Sequence, residues 1–399
     1  MRQMKCLLAV VVVCLCAASI RAQDPSTVRA MSPPAAAEHP LMPIGTPAPD
    51  FSLKGTDDQV HTLAEFSAAK VLVIMFESIH CPVSENYEGR LRKLYDTYHD
   101  RGVAFVAINP NNPSAVRLDE LGYTDLNDSP EDMKVRAKER GIPWPYLYDG
   151  GTQEVVQKLG AVATPHLFIF DAGRTLRYEG RVDDNQIEAR VKVHDAENAI
   201  DALLSGKPVA VPHTPAFGCS TKWLSKRADV QREWAKIIAE PVTITHASTA
   251  DLNSLLANAG ENVTVIHFWS LANSSREQDL SQLETTYWMY RGRTFSLVTI
   301  NTDSAKDADS VKEFLKSQHA SSTNLQIEPA DLKAFQAAFE TSWDESEEFT
   351  AVIAPGGKLV YTHKGPVPIH DLRHAVLAHF TENSSYPGQV QYWEELSPR

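Results

Sequence analysis

Val71-Leu72-Val73-Ile74-Met75-Phe76-Glu77-Ser78-Ile79-His80-Cys81-Pro82 is the stretch whose reading decides the fold. Val71 to Phe76 is a continuous apolar run of strand length, apolar on both faces as a strand inside a covered parallel sheet must be. Ser84 to His99 then shows helical spacing through Tyr87, Leu91, Leu94, Tyr95 and Tyr98, and Val103 to Ile108 is a second apolar strand. Together they make a βαβ unit. Cys81-Pro82 opens the helix, so the sulfur is expected at a helix N-terminus, where unpaired N–H groups and the positive dipole end lower a thiol pKa. That is the address of a nucleophile.

Working outward, the same stretch returns later in the chain. With a constant offset of 192 and no gaps, Val71 to Asn109 matches Val263 to Asn301 with 13 identities in 39 positions, among them Phe76/Phe268, Ser78/Ser270, Leu91/Leu283 and Tyr95/Tyr287. Each copy closes with a strand, a turn, a second strand and a helix. In the first these are Leu167 to Phe170, Leu176 to Tyr178 and a helix over Ile187 to Leu204. In the second they are Ala351 to Ala354, Leu359 to Tyr361 and Leu372 to Phe380. The expected fold class is α/β, two related domains each with a central mixed sheet flanked by helices.

The full chain of 399 residues carries a formal charge of −13 with 43% hydrophobic residues, which is ordinary globular material of two-domain length. With no run of Lys and Arg, the footprint for nucleic acid is missing. Arg2 and Lys5, the apolar run Cys6 to Ala18 and the small residue Ala22 read as a secretory signal over residues 1–22. The run is short for a membrane span of roughly 20 residues, which favours a cleaved signal over an anchor and places the mature chain in a periplasmic or extracellular setting. Three of the five cysteines leave with it, and Cys81 and Cys219 remain. Residues 23–43 form a Pro-rich linker, 44–206 the first domain, and 207–240 a linker that carries Cys219 and a polar helical stretch. Residues 241–382 form a cysteine-free second domain, and 383–399 a tail.

Thr164-Pro165 precedes a strand, where an X-Pro bond can be cis and hold backbone beside the sulfur. Strand, Cys-Pro at a helix start, βαβ, Thr164-Pro165 and then Gly180-Arg181-Val182-Asp183 resemble the redoxin branch of the thioredoxin-like superfamily, the alkyl hydroperoxide reductase and thiol-specific antioxidant proteins. The resemblance covers about 44–205 well and 241–382 more weakly, so the chain looks like two tandem thioredoxin-like domains. It implies a catalytic Cys81, a cis Pro165 and an early Pro47-Ala48-Pro49-Asp50-Phe51 segment before the first hairpin, and it implies no cofactor. Two departures stand out. Ser84 occupies the position of a second cysteine in Cys-x-x-Cys, so a vicinal dithiol is excluded. Ser78 fits the Thr or Ser expected three residues before the cysteine, whereas Ile74 replaces the expected proline.

Cys219 supplies a second thiol, since the 13 residues from Lys207 to Cys219 could span up to about 40 Å and return to Cys81. The implied mechanism has Cys81 attack a peroxide or a protein disulfide and Cys219 resolve the product, with an external thiol as reductant. The competing readings are a binding or scaffold protein with a permanent Cys81–Cys219 bridge, and a copper-handling protein. Cys81, His80 and His166 offer one sulfur and two imidazoles for a metal, but their spacing is no metal signature, and His80 reads better as tuning the thiolate or simply facing solvent. In the second copy Asn273 stands at the place of Cys81, and no proline matches Pro165 near Glu348-Phe349. That domain is read as thiol-free, kept for packing or for a protein partner. Asn127-Asp128-Ser129 and three similar triplets fit the glycosylation pattern, which is common by chance and decides nothing.

Overall fold

The structure is a computed structural model that describes residues 39–257, 260–339, 342–344, 347–380 and 389–396. The expected signal at 1–22, and most of the linker after it, lie outside the described residues. Among the described residues, no helix is long and apolar enough to cross a membrane.

The first half runs β1 (Ser52–Lys54), β2 (Val60–Thr62), β3 (Val71–Phe76), α1 (Pro82–Tyr98), β4 (Val103–Asn109), α2 (Pro130–Arg140), β5 (Tyr146–Tyr148), α3 (Glu154–Leu159), β6 (Ala163–Thr164), β7 (His166–Phe170), β8 (Leu176–Gly180) and α4 (Asp195–Leu204). Its five-stranded sheet has the order β5-β4-β3-β7-β8, with β3 parallel to β4 and antiparallel to β7. The unbroken apolar text of β3 serves two cores at once. Val71, Val73 and Met75 face α1 and α4, through Tyr87, Leu91 and Ile200, whereas Leu72, Ile74 and Phe76 face α3 through Val155, Val156 and Leu159. Truncating one such residue, as in Leu91→Ala, would cost about 2–5 kcal/mol. One expectation is corrected: the helix expected over Ile187–Leu204 begins only at Asp195. Residues 187–194 are held otherwise: Arg190 N donates to Ile187 O (2.8 Å) in a short 3-10 turn, Lys192 N donates to Asp184 Oδ1 (2.8 Å), and Asp184 N donates to Val193 O (3.1 Å).

The second half contains β9 (Cys219–Ser220), α5 (Arg227–Ile237), β10 (Thr245–His246), α6 (Thr249–Ala257), β11 (Val263–Trp269), α7 (Arg276–Tyr290), β12 (Phe295–Asn301), α8 (Ala308–Ser317), β13 (Thr323–Gln326), α9 (Leu332–Ala338), β14 (Phe349–Ala354), β15 (Lys358–Lys364), α10 (Ile369–Leu377) and α11 (Gln389–Leu396). Apart from β9, its strands form a sheet of order β10-β13-β12-β11-β14-β15. Order and direction of the last five repeat the first sheet. Even the register is kept: Val71 faces Val103, and Val263 faces Phe295, both shifted by 192. On the returning strand Phe76 faces His166 and Phe268 faces Phe349, so Glu348 is the counterpart of Pro165.

The halves share contacts. Val116 and Leu121, from the loop after β4, are buried in the core of the second half. The Asp125 carboxylate is fully buried and accepts from Arg136, while His374 Nε2 lies 2.6 Å from its other oxygen. Within the stretch expected as a tail, α11 is a docked helix: Trp393 is buried, and the Tyr392 hydroxyl donates to Glu88 Oε1 on α1 at 3.2 Å.

Candidate active site

Cys81 is the N-cap of α1, with Pro82 at the first helical position, where a missing N–H costs nothing. Its sulfur accepts from Ser84 N at 3.5 Å and, as a thiol, donates to Thr164 O at 3.2 Å. No part of the residue is exposed. The Thr164-Pro165 bond is cis, and Ser78 Oγ lies 2.9 Å from Thr164 Oγ1, which joins the turn after β3 to the start of β7. The structure therefore brings Ser78, Cys81, Ser84, Thr164 and Pro165 together.

Cys219 arrives from the other side. β9 pairs antiparallel with β6, setting Cys219 opposite Thr164 and Ser220 opposite Ala163. Cys219 packs against the core cluster that holds Cys81, whose thiol donates to the carbonyl of Thr164, the ladder partner of Cys219. Neither cysteine is in a disulfide. The approach requires glycine at 218: its φ is 158°, and a Cβ there would overlap the Thr164 carbonyl.

The electrostatics favour one thiolate. Burial pushes the Cys81 thiol up. The Cys219 hydrogen bond, the charge on His80 and the N–H groups of Ser84 and Cys219 outweigh it and bring the pKa down to about 5. Cys219 moves the opposite way, raised by its hydrogen bond to Cys81 and by burial, so it keeps its proton. His80 is fully buried. Burial works against its charge, but Asp128, bonded to its Nδ1, raises its pKa and holds it as imidazolium. Asp128 in turn accepts from Ile79 N (2.9 Å), Asn109 Nδ2 (3.0 Å) and Asn111 Nδ2 (2.9 Å). The sequence reading missed Asp128, Asn109 and Asn111. The one signal was a buried histidine beside the nucleophile, which requires a partner. Inside Asn127-Asp128-Ser129, Ser129 caps α2 by accepting from Asp132 N.

His166 faces elsewhere. Its Nε2 lies 3.0 Å from Glu179 Oε2, whose other oxygen meets His213 Nδ1, and burial, aided by the charge of His213, lowers its pKa to about 3. The ligand atoms of Cys81, His80 and His166 do not gather. Among the described residues, Asp125, Glu139 and His374 do have metal-ligand spacing. There the Arg136 guanidinium already binds Asp125 and Glu139 and opposes a cation.

Behind the start of α1 lies a cavity of about 210 Å³, lined in part by Glu77, Ser78, Ser84, Trp144 and Tyr146. It reaches the residues that flank Cys81 without reaching the sulfur. Burial and the charge of Glu88 raise the Glu77 carboxyl to about 8, which keeps it neutral at pH 7.

Sheet order, cis proline and helix-capping thiol define a thioredoxin-like redox domain. Residues 43–200 match the Redoxin family model, so this part of the chain is a redoxin domain. The match supports a thiol-based redox function. The chain is similar to an uncharacterized conserved protein from Geobacillus kaustophilus, at 39% identity over 45% of this chain and 92% of that one, with a TM-score of 0.41. A hypothetical protein from Sinorhizobium meliloti 1021 follows at 34% identity over 46% and 96%, also with a TM-score of 0.41. A peroxidoxin from Mycobacterium tuberculosis is 15% identical over 41% and 95%, with a TM-score of 0.29. No curated protein matches the chain.

Proposed function

We propose that the chain is an exported thiol oxidoreductase in which Cys81 is the nucleophile and Cys219 the resolving thiol. The observation that carries this reading is the β6–β9 pairing, which sets Cys219 opposite Thr164, the residue whose carbonyl the Cys81 thiol meets at the start of α1. With a peroxide, the Cys81 thiolate takes the distal oxygen: an S–O bond forms, the O–O bond breaks, and the alcohol or water leaves with a proton. Cys219 then attacks the sulfenic sulfur, an S–S bond forms, and hydroxide leaves as water with the Cys219 proton. With a protein disulfide, Cys81 forms a mixed disulfide and Cys219 releases the substrate thiol. Either route ends in one internal disulfide that an external thiol must reduce. The second domain supplies no thiol and acts as packing surface or partner-binding surface.

The test is thiol titration of the mature protein with mass mapping, before and after one equivalent of hydrogen peroxide. The expected outcome is two free thiols that react fast near pH 7 and become a Cys81–Cys219 disulfide. A bridge that is already present and resists native reductant would instead support the scaffold reading.

A further inference from the structure

The residues over Cys81 are the chain's own. From Thr214 to Lys222 a strap crosses the site and is fixed at both ends. At one end Thr214 N donates to Glu179 O (3.1 Å), and Thr214 Oγ1 meets the Tyr178 hydroxyl (2.7 Å). At the other, Thr221 Oγ1 donates to Ala161 O (2.8 Å), Thr221 N to Val162 O (3.1 Å), and Lys222 N to Asn111 Oδ1 (2.8 Å). Between the anchors, Cys219 and Ser220 run antiparallel to Thr164 and Ala163. A two-residue strand edge of this kind is a template for any extended polypeptide, because its backbone groups seek a partner. Here that partner is built in.

We infer that the strap Thr214–Lys222 is the specificity determinant of this site: it occupies the polypeptide edge beside Cys81, so an extended protein segment reaches the sulfur only when the whole strap lifts, whereas a small oxidant needs only a local opening from the adjoining cavity. This rests on the reading of Cys81 as nucleophile. Three observations carry it. Cys81 has no exposed surface, so a cysteine on a folded partner cannot meet it while β9 is paired. Gly218 sits so close to Thr164 that no residue with a side chain could take its place there. The remaining free space near the sulfur is the cavity of about 210 Å³ at Ser78 and Ser84, several times the ~30 Å³ of a water and far short of a peptide strand. The Ser84 hydroxyl is buried there without a partner.

The experiment uses the full chain in a Cys219→Ser background, so that one thiol reports. The Cys81 rate is measured with hydrogen peroxide and iodoacetamide, and separately with an extended cysteinyl peptide activated as its thionitrobenzoate mixed disulfide. Gly218→Ala, which drives a methyl into the Thr164 carbonyl, should raise the peptide rate about tenfold, since that rate follows the lifted population. The small-reagent rates should change by less than about threefold, because reagents of this size need only a local opening beside the cavity and not the lift of the whole strap. Thr214→Val, which removes an anchor away from the thiols, should act in the same direction and serves if the glycine variant fails to fold. A peptide rate that neither variant moves, or small-reagent rates that rise in step with it, would overturn the strap as determinant and leave the nucleophile reading intact. A Cys81 inert to every reagent in every form would remove both.

Discussion

The two βαβ units of this chain share strand order and register, yet only one is equipped for chemistry, and within the units the difference lies in the turn after the first strand. In the first unit α1 starts immediately after Cys81. In the second the helix cap is Ser275, two residues beyond Asn273, the counterpart of Cys81. Asn273 accepts from Ser270 N through its side chain and from Arg276 through its carbonyl, and so sits in a local turn outside the helix. A carboxylate closes that turn in both units. Asp128 accepts from Ile79 N and Asn109, and Asp303 accepts from Leu271 N (2.7 Å) and Asn301 Nδ2 (2.8 Å). Ile79 and Leu271 are repeat partners, as are Asn109 and Asn301. The carboxylate is therefore first a loop clamp. In the first unit it also charges His80, and in the second the matching residue is Ala272. The second unit thus differs by a shifted helix start and two side chains, and beyond the unit Glu348 stands in place of Pro165 and no second cysteine is supplied.

The comparison breaks most visibly at Cys81. If all thiol chemistry belongs to the first unit, Cys81→Ser should lower peroxide or disulfide turnover by about 10⁴-fold, since a serine hydroxyl at neutral pH is no substitute for a thiolate. Retention of more than about a hundredth of the activity, in a steady-state assay with excess dithiol, would place chemistry elsewhere.

A smaller effect separates the two clamps. Asp128→Asn keeps a hydrogen-bonding side chain at the clamp but removes the charge that holds His80 as imidazolium. With the His80 charge gone, the Cys81 pKa should rise from about 5 toward the ordinary thiol range. The sign follows: the alkylation profile moves to higher pH, so the rate at pH 6 should fall about tenfold while the rate at pH 9 stays nearly constant. The matching Asp303→Asn should leave the Cys81 profile where it is. Iodoacetamide kinetics from pH 4 to 9 check both, and an unmoved profile in Asp128→Asn would mean that His80 carries no charge there.

The legible part of this molecule is local. Val71–Phe76, Cys81-Pro82 and the helix after them are contiguous, and their apolar spacing reports burial directly, so strand, helix and thiol could be read from the chain. Thr164-Pro165 was legible as a special bond because only proline makes it affordable. Asp128 was not, because its partners Ile79, His80 and Asn109 converge only through the folded loop after β4. The pairing of Cys219 with Thr164 is equally silent: two residues in a Pro-rich linker have no periodicity, and what sets their register is Gly218 and the anchors at Thr214 and Thr221. The helix start at Asp195 was hidden for a related reason, since residues 187–194 form a 3-10 turn and a loop closed on Asp184, whose bonds to Lys192 and Val193 leave no trace in the apolar spacing.

The smallest effect tests what the helix shift alone does. Asn273→Cys places a thiol at the counterpart of Cys81, with the same strand behind it and the same clamp beside it. If an N-terminal position on a helix is what lowers a thiol pKa, this thiol should gain little, because α7 begins at Arg276 and its first free N–H groups point from residues beyond 273. It also lacks an imidazolium, with Ala272 at the place of His80, and lacks a second cysteine to donate to it. Its alkylation rate at pH 7, measured after global unfolding is excluded and with Cys81 and Cys219 both replaced by serine, should be no more than about threefold above that of a cysteine in an unstructured peptide. A rate approaching that of Cys81 would show that the turn and sheet suffice, and that His80, Cys219 and the helix cap contribute little. A rate near or below the peptide value would assign the difference between the two units to those three groups together with Pro165, whose counterpart is Glu348.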